Sequence, residues 1–179
     1  MWRERVRMKT LLLGCGNSRE KRLFPNNNIH SGWGELVTVD MDPNCNPDYV
    51  YDLDQHHWNI FTNETFDEVH AYEVFEHIGR QGDYKSFFSH FYECWRILKP
   101  GGHLCCTVPN APEWIWGDPG HTRTITSQSL HFLDLDNYKR EIGVTTMTDY
   151  RWIWKGNFRK VWDQQHEVGY FFILRKQRV

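Results

Sequence analysis

Four short stretches of the chain carry residue types whose spacing could do chemistry. Gly14-Cys15-Gly16 closes the apolar run Leu11-Leu12-Leu13 and precedes a turn-forming Asn17. Glycines there let the backbone take positive φ and let a ligand approach the main chain. Cys15 between them is a small packing residue, and nothing around it argues for an activated thiol. Asp40 ends a second apolar run, Leu36-Val37-Thr38-Val39. A glycine turn after one strand and an acid at the tip of the next is how an open α/β sheet holds a nucleoside, with main chain beside the glycines and ribose hydroxyls on the acid. A vicinal diol has two donors, and one carboxylate has two oxygens to accept them. Glu76-His77 has the composition of an acid/base pair, and equally of a pair that shapes a pocket. In Asp118-Pro119-Gly120-His121-Thr122-Arg123, His121 could take a proton from an acceptor hydroxyl. Asp118 and Arg123 have a plainer use, stapling the loop. Trp114 and Trp116 nearby could stack a flat or sugar-like acceptor or close a lid.

Composition narrows the setting. With 179 residues, 40% hydrophobic and 25% charged, the chain reads as one domain, 1–179, with 1–8 a polar lead-in. Net charge is −2, so no global basic field points to nucleic acid. The charge is uneven, however. Arg3, Arg5, Arg7 and Lys9 open the chain, and seven Lys/Arg against Asp163 and Glu167 follow from Arg151 onward. The five cysteines form no CxxC pair and suit reduced thiols in the cytoplasm. The ten histidines are scattered and His56-His57 is adjacent rather than at ligand spacing, so no metal is expected. No apolar run approaches membrane-spanning length, and no apolar signal segment follows the basic N-terminus.

The elements that must position these residues alternate between strand and helix. Residues 9–14, 36–40, 49–51, 66–72 and 103–108 read as strands. Ser18 to Leu23 has room for a turn or two of helix before Pro25 and Asn26-Asn27-Asn28 break it, and the stretch to Gly34 reads as an irregular loop over the pocket mouth. A third glycine of the strict dinucleotide fingerprint would fall at Arg19, which argues against a nicotinamide or flavin dinucleotide. Val74 to Ile78 is a short helical turn. Asp83 to Leu98 carries Phe87, Phe88, Phe91, Tyr92, Trp95 and Leu98 at spacings of three and four, an amphipathic helix capped by Asp83 and stopped by Lys99-Pro100-Gly101-Gly102. Residues 110–124 read as a loop, and Thr126 or Ser127 caps a helix through about Asp136. Thr148–Trp154 and Val168–Arg175 are strand candidates forming an antiparallel pair at one edge. The pattern is an α/β sandwich around a mostly parallel sheet.

From Lys9 to about Phe132 these pieces together resemble a class I S-adenosylmethionine-dependent methyltransferase, most closely the small type-11-like enzymes. LLLGCGN resembles the family's first motif, VTVDMDP its second strand, VYDLDQ its acidic turn, FDEVHAYEVFEHI its fourth-strand motif, and ECWRILKPGGHLCCTVPN its helix, turn and fifth strand. The resemblance implies a Rossmann-like, doubly wound, mostly parallel seven-stranded sheet with an antiparallel C-terminal edge. It implies S-adenosylmethionine as cofactor and S-adenosylhomocysteine as product. Gly14, Cys15 and Gly16 would lie against the amino-acid portion of the cofactor. Asp40, with Met41 beside it, would take the ribose hydroxyls. Asp52 would accept from the adenine amine, Leu53 would lie against the ring, and Glu73 would line the methionine side. The Asp118–Arg123 stretch resembles a D-P-x-H-x-R-x-x-T segment of some type-11 enzymes. Two departures from the family pattern are Leu12, where an acid is common, and Ser18, where a third glycine is common.

The reading that follows is methyl transfer to a small-molecule or glycan acceptor, through a hydroxyl with His121 or His77 as base. A nucleic-acid or protein acceptor is the alternative suggested by the basic ends, although the Asn/Asp-Pro-Pro-aromatic signature and a Pro-Cys nucleophile are both missing. A cofactor-binding partner subunit without turnover is the third. No membrane association is expected, and self-association is left open.

Overall fold

The computed structural model describes residues 8–25 and 32–179. The basic lead-in and the Asn26-Asn27-Asn28 run lie outside them. Seven strands form one sheet: β1 (Lys9–Leu13), β2 (Glu35–Asp40), β3 (Tyr49–Val50), β4 (Phe66–Tyr72), β5 (Leu98–Pro109), β6 (Phe158–Gln165) and β7 (Gly169–Lys176). Their order is β3-β2-β1-β4-β5-β7-β6. The first five run parallel; β7 pairs antiparallel with β5, and β6 antiparallel with β7. Chain direction reverses its winding between β1 and β4, which is where a doubly wound sheet opens a crevice at the strand C-termini.

The strands carry apolar residues on both faces because both are covered. Leu11 and Leu13 point to the main core with Val39, Val69, Ala71, Leu104 and Cys106. Against them pack Phe88, Phe91, Cys94 and Ile97 of helix α1 (Tyr84–Ile97). Asp83 caps α1 by accepting from the Ser86 amide at 3.1 Å. Leu12, Tyr72, Cys105 and Ile173 point the other way, into a smaller cluster with Cys15, Leu23, Trp33, Leu36 and Phe171.

No helix covers this second face among the described residues. The segment after β1 lies over it in irregular conformation, so the expected turns of helix at Ser18–Leu23 do not form. A polar chain holds the segment down. Glu68, His70 and Tyr72 alternate along β4 and so share one face. Lys21 Nζ reaches Glu68 Oε2 at 2.8 Å, His70 Nε2 meets the same oxygen at 2.9 Å, and His70 Nδ1 meets the Tyr72 hydroxyl at 2.6 Å. That hydroxyl accepts from the Arg22 and Leu23 amides at 3.1 and 3.2 Å. The directions follow from donor count. The Tyr72 oxygen accepts twice and donates to His70 Nδ1, so the proton of the neutral imidazole sits on Nε2 and points at Glu68. Burial favours that neutral form of His70 by lowering its pKa.

Three further elements differ from expectation. Residues 110–124 contain helix α2 (Pro112–Gly117), which starts with proline at its first turn and buries Ile115. Thr126 caps a helix as expected, with a capping box to Ser129, but that helix, α3, spans only Ser127–His131. The chain restarts at α4 (Leu135–Glu141), capped by Asp134. Thr148–Trp154 is not a strand: it ends in a turn that buries Trp154, whose indole donates to the Leu133 carbonyl at 3.1 Å. The edge strand is β6, whose residues after Phe158 are all exposed.

Candidate active site

The strand C-termini gather the residues singled out above. Gly14 and Gly16 both have positive φ, 56° and 48°. They are glycines for different reasons. A Cβ on Gly14 would stand 2.5 Å from a Val74 methyl, whereas one on Gly16 would meet nothing within 4 Å. Gly14 thus backs onto the protein and Gly16 faces open space. Between them Cys15 is buried, its amide donating to the Val39 carbonyl at 3.0 Å. Burial raises the Cys15 thiol pKa, as a packing residue requires.

Asp40 ties this turn to β2. Its Oδ2 accepts from the Gly16 amide at 2.8 Å and its Oδ1 from the Asp42 amide at 2.9 Å. Each carboxylate oxygen keeps acceptor capacity beyond these bonds. Arg19, at the place of a third fingerprint glycine, clamps the same corner from outside. Its guanidinium donates to the Gly16 carbonyl at 2.6 Å and to the Cys45 carbonyl at 2.8 Å. One side chain therefore bridges the turns after β1 and β2. Met41 is exposed beside them.

At Asp52 and Leu53, expected at the adenine end, the geometry is mixed. Asp52 is exposed, and its Oδ1 accepts from the Asp54 amide at 2.9 Å, a turn-forming bond. Leu53 turns its side chain into the main core. Its carbonyl accepts from the buried Trp58 indole at 3.2 Å.

A second group of these residues gathers where β4 ends. Glu73 takes a φ of 56° and is exposed, its amide donating to the Thr107 carbonyl at 2.9 Å across to β5. The chain then makes a tight turn that buries Val74 and Phe75 and presents Glu76 and His77. The Glu76 carbonyl accepts from the Thr122 amide at 2.8 Å, which draws the Asp118–Arg123 loop over the turn. Both stapling roles in that loop are realised. Asp118 Oδ1 accepts from the Gly120 amide at 2.7 Å. Arg123 is buried and donates to Ser86 Oγ at 3.2 Å and the Arg80 carbonyl at 3.4 Å.

The result sets His121 against His77, ring centroids 4.6 Å apart. Their tautomers follow from their partners. His77 Nδ1 lies 3.2 Å from the Gly120 carbonyl and His121 Nδ1 lies 2.8 Å from the Ile115 carbonyl. A carbonyl only accepts, so both Nδ1 atoms carry hydrogen in the neutral rings and both Nε2 atoms present a lone pair. Beneath them Glu76 is 1% exposed. Burial, together with the charge on Glu73, pushes its carboxyl up to about 9.

A cavity of about 290 Å³ is lined by Arg80, Gln81, Arg123, Phe87, Phe132 and Tyr150, and Glu76, His77 and His121 do not line it. Local sequence gave no sign of it, since its walls come from α1, α3 and three loops. Trp114 and Trp116 stand outside it and are 54% and 61% exposed.

A family model described as a methyltransferase domain matches residues 3–157. No curated protein matches the chain by sequence. Among solved structures, the fold is similar to that of a SAM-dependent methyltransferase from Archaeoglobus fulgidus, with TM-score 0.59, 13% identity, and 96% of this chain and 87% of the other covered. It is also similar to a complex of the Haloferax volcanii Trm112 methyltransferase activator with a putative methyltransferase (TM-score 0.58, 13% identity, coverage 96% and 83%). The N-methyltransferase NodS of Bradyrhizobium japonicum, in complex with S-adenosylhomocysteine, matches with TM-score 0.55, 14% identity and coverage of 96% and 79%. With the strand order, the glycine turn and the acid at the tip of β2, these matches show that the chain belongs to the methyltransferase-domain family and has the class I S-adenosylmethionine-dependent methyltransferase fold.

Proposed function

We propose that this enzyme methylates a hydroxyl of a small-molecule or glycan acceptor seated beside His121 and His77. The observation that carries the reading is the matched tautomer of the two rings, each with Nδ1 held by a backbone carbonyl and Nε2 left as a base. Their location at the strand C-termini supports it, because ligands of open α/β sheets bind there.

The residues present fit the cofactor. Gly16 has an open side, Asp40 has acceptor capacity to spare, and Asp52 keeps an oxygen outside its turn. S-adenosylmethionine, when bound, supplies an electrophilic methyl group and departs as S-adenosylhomocysteine. The chain's own task is alignment and exclusion of water. Gly14, Cys15 and Gly16 would hold the amino-acid end, Asp40 and Met41 the ribose, Asp52 the adenine amine, and Glu73 the methionine side, while Leu53, expected against the ring, has its side chain in the core. His121 is the better placed base, since its side chain is only 9% exposed.

A nucleic-acid acceptor finds little support in the tail. Arg151 pairs with Asp149, Arg159 with Asp136, Lys160 with Asp163 and Lys176 with Glu64, so these cations are already partnered.

Calorimetric titration with S-adenosylhomocysteine, followed by methyl-transfer assays on a panel of hydroxylated acceptors, tests the proposal. Turnover lost in His121→Ala with product affinity retained is expected. Full activity in both His121→Ala and His77→Ala would overturn the role of the histidines.

A further inference from the structure

The acceptor side holds an assembly that methyl alignment alone does not require. Glu76, 1% exposed, has neither carboxylate oxygen hydrogen-bonded. A carboxylate oxygen of Glu76 and one ring nitrogen each of His77 and His121 lie within 4.8 Å of one another. Both Nε2 atoms keep a lone pair, and by hydrogen-bond geometry no donor among the described residues reaches either Glu76 oxygen. Arg123, the buried cation of the same loop, turns its Nη2 toward Ser86 and Arg80. Exposed Glu73 and Asp118 add negative charge around the same point. Buried polar groups in folded proteins are paired or coordinate metals.

We infer that Glu76, His77 and His121 bind a divalent cation that holds the acceptor oxygen, an inference that rests on the methyl-transfer reading. The ring bonds fit it. A metal-ligating histidine donates its other N–H to a carbonyl or carboxylate, and here the Gly120 and Ile115 carbonyls take both Nδ1 hydrogens. Two imidazoles with one carboxylate suit first-row divalent ions and leave coordination positions open. An acceptor hydroxyl entering an open position is acidified by the ion. Its O–H bond breaks and the proton leaves to solvent. The freed oxygen pair then forms the bond to the methyl carbon while the C–S bond breaks, its electron pair remaining on sulfur. His77 and His121 act as ligands in this step, and the ion takes over the acidifying role that a base would have.

The test uses chelator-treated full-length protein titrated with Mn²⁺ by calorimetry and electron spin resonance, and with Co²⁺ by visible absorption. Saturation near one ion per chain is expected, with d–d bands from nitrogen ligation. Glu76→Gln and His121→Ala, checked for an unchanged thermal midpoint without metal, are expected to weaken binding by more than about 100-fold, beyond what second-shell changes give. If either variant fails to fold, His77→Ala, on an exposed side chain, replaces it. Absence of saturable binding, or binding undiminished in the folded variants, would overturn the inference. Titration of the metal-free protein with S-adenosylhomocysteine separates the two layers. Retained product binding without ion binding overturns the ion alone, and loss of both overturns the methyl-transfer reading beneath it.

Discussion

The Gly16 amide donates to Asp40 Oδ2 at 2.8 Å, so the acid expected to hold the ribose also fastens the glycine turn to the tip of β2. Asp40→Ala therefore removes two things at once, the cofactor's acceptor and the internal tie. A hydrogen bond to a charged group contributes about 1.5–3 kcal/mol. Affinity for S-adenosylhomocysteine is expected to fall by about 10- to 150-fold, with a lowered melting temperature. Calorimetry on wild type and variant measures the first, and thermal unfolding the second. Unchanged affinity would remove Asp40 from the site.

Arg19 offers a separable probe of the same corner. It touches main-chain carbonyls only, bridging Gly16 and Cys45. Arg19→Ala leaves Asp40's bonds in place but frees the two turns from each other. Cofactor affinity is expected to drop by about tenfold, the equivalent of about 1.4 kcal/mol, while the Asp40 variant loses more. An Arg19→Lys variant that recovers little would fit a fork-shaped clamp, since lysine cannot reach two carbonyls in that geometry.

The glycines should behave unequally. Alanine at either position carries the left-handed φ penalty of about 1–2 kcal/mol. Gly14→Ala adds a collision with Val74 at 2.5 Å, and Gly16→Ala adds none. Urea unfolding is expected to show the larger loss at Gly14, with part recovered in Gly14→Ala/Val74→Ala. Calorimetry is expected to show Gly16→Ala impairing cofactor binding more than stability. Equal unfolding losses would contradict the packing described for Gly14.

What was legible in the sequence was local. β1, β2, β4 and β7 have apolar runs, α1 has period and cap, and the glycine turn with its following acid lies within one strand-turn-strand unit. What was hidden is held by the fold. Glu76 and His121 meet only because the Glu76 carbonyl accepts the Thr122 amide, a pairing no spacing announces. β6 escaped because an edge strand with exposed, charged residues has no buried face to mark it. Thr148–Trp154 misled because a turn, not a strand, buries Trp154, while Trp152 stays exposed. Lys99-Pro100-Gly101-Gly102 stops α1 as read, but it is not a free turn before the fifth strand: β5 begins at Leu98 and runs through it. The register against β4 slips there between Phe66 and Glu68, and Gly101 takes a φ of 78°. Arg19 reads as a flaw in a fingerprint and turns out to replace the missing helix as a clamp.

The hydroxyl of Tyr72 joins the helix-free segment to the sheet through the Arg22 and Leu23 amides, beside the Lys21–Glu68 ion pair. Tyr72→Phe keeps the ring and deletes the acceptor, leaving two amides and His70 Nδ1 without their partner. An unsatisfied buried group costs about 1–3 kcal/mol. The variant is expected to unfold about 2–4 kcal/mol more easily, and amide hydrogen exchange is expected to rise first at residues 21–24. Uniform exchange across the sheet would show that the segment is held by its apolar contacts alone.

His90 supplies a pH dependence with a definite sign. It is fully buried on α1, against Ser86, Asp54 and His56, with Arg123 close by. Burial lowers its pKa to about 4, against 6.5 for the free side chain. Between those values the unfolded chain binds a proton that the folded chain refuses. Stability is therefore fully present above pH 6.5 and is lost as pH falls toward 4. Each unit of fall through that window costs about 1.4 kcal/mol, so about 2 kcal/mol goes between pH 6.5 and 5. His70 and His103, which burial also lowers, add to this slope, and buried Glu76, pushed up to about 9, opposes it. The His90 part is therefore read as a difference between proteins: urea unfolding at pH 6.5, 5.75 and 5 is expected to show wild type losing about 2 kcal/mol more than His90→Gln. Parallel slopes would mean that His90 does not refuse the proton.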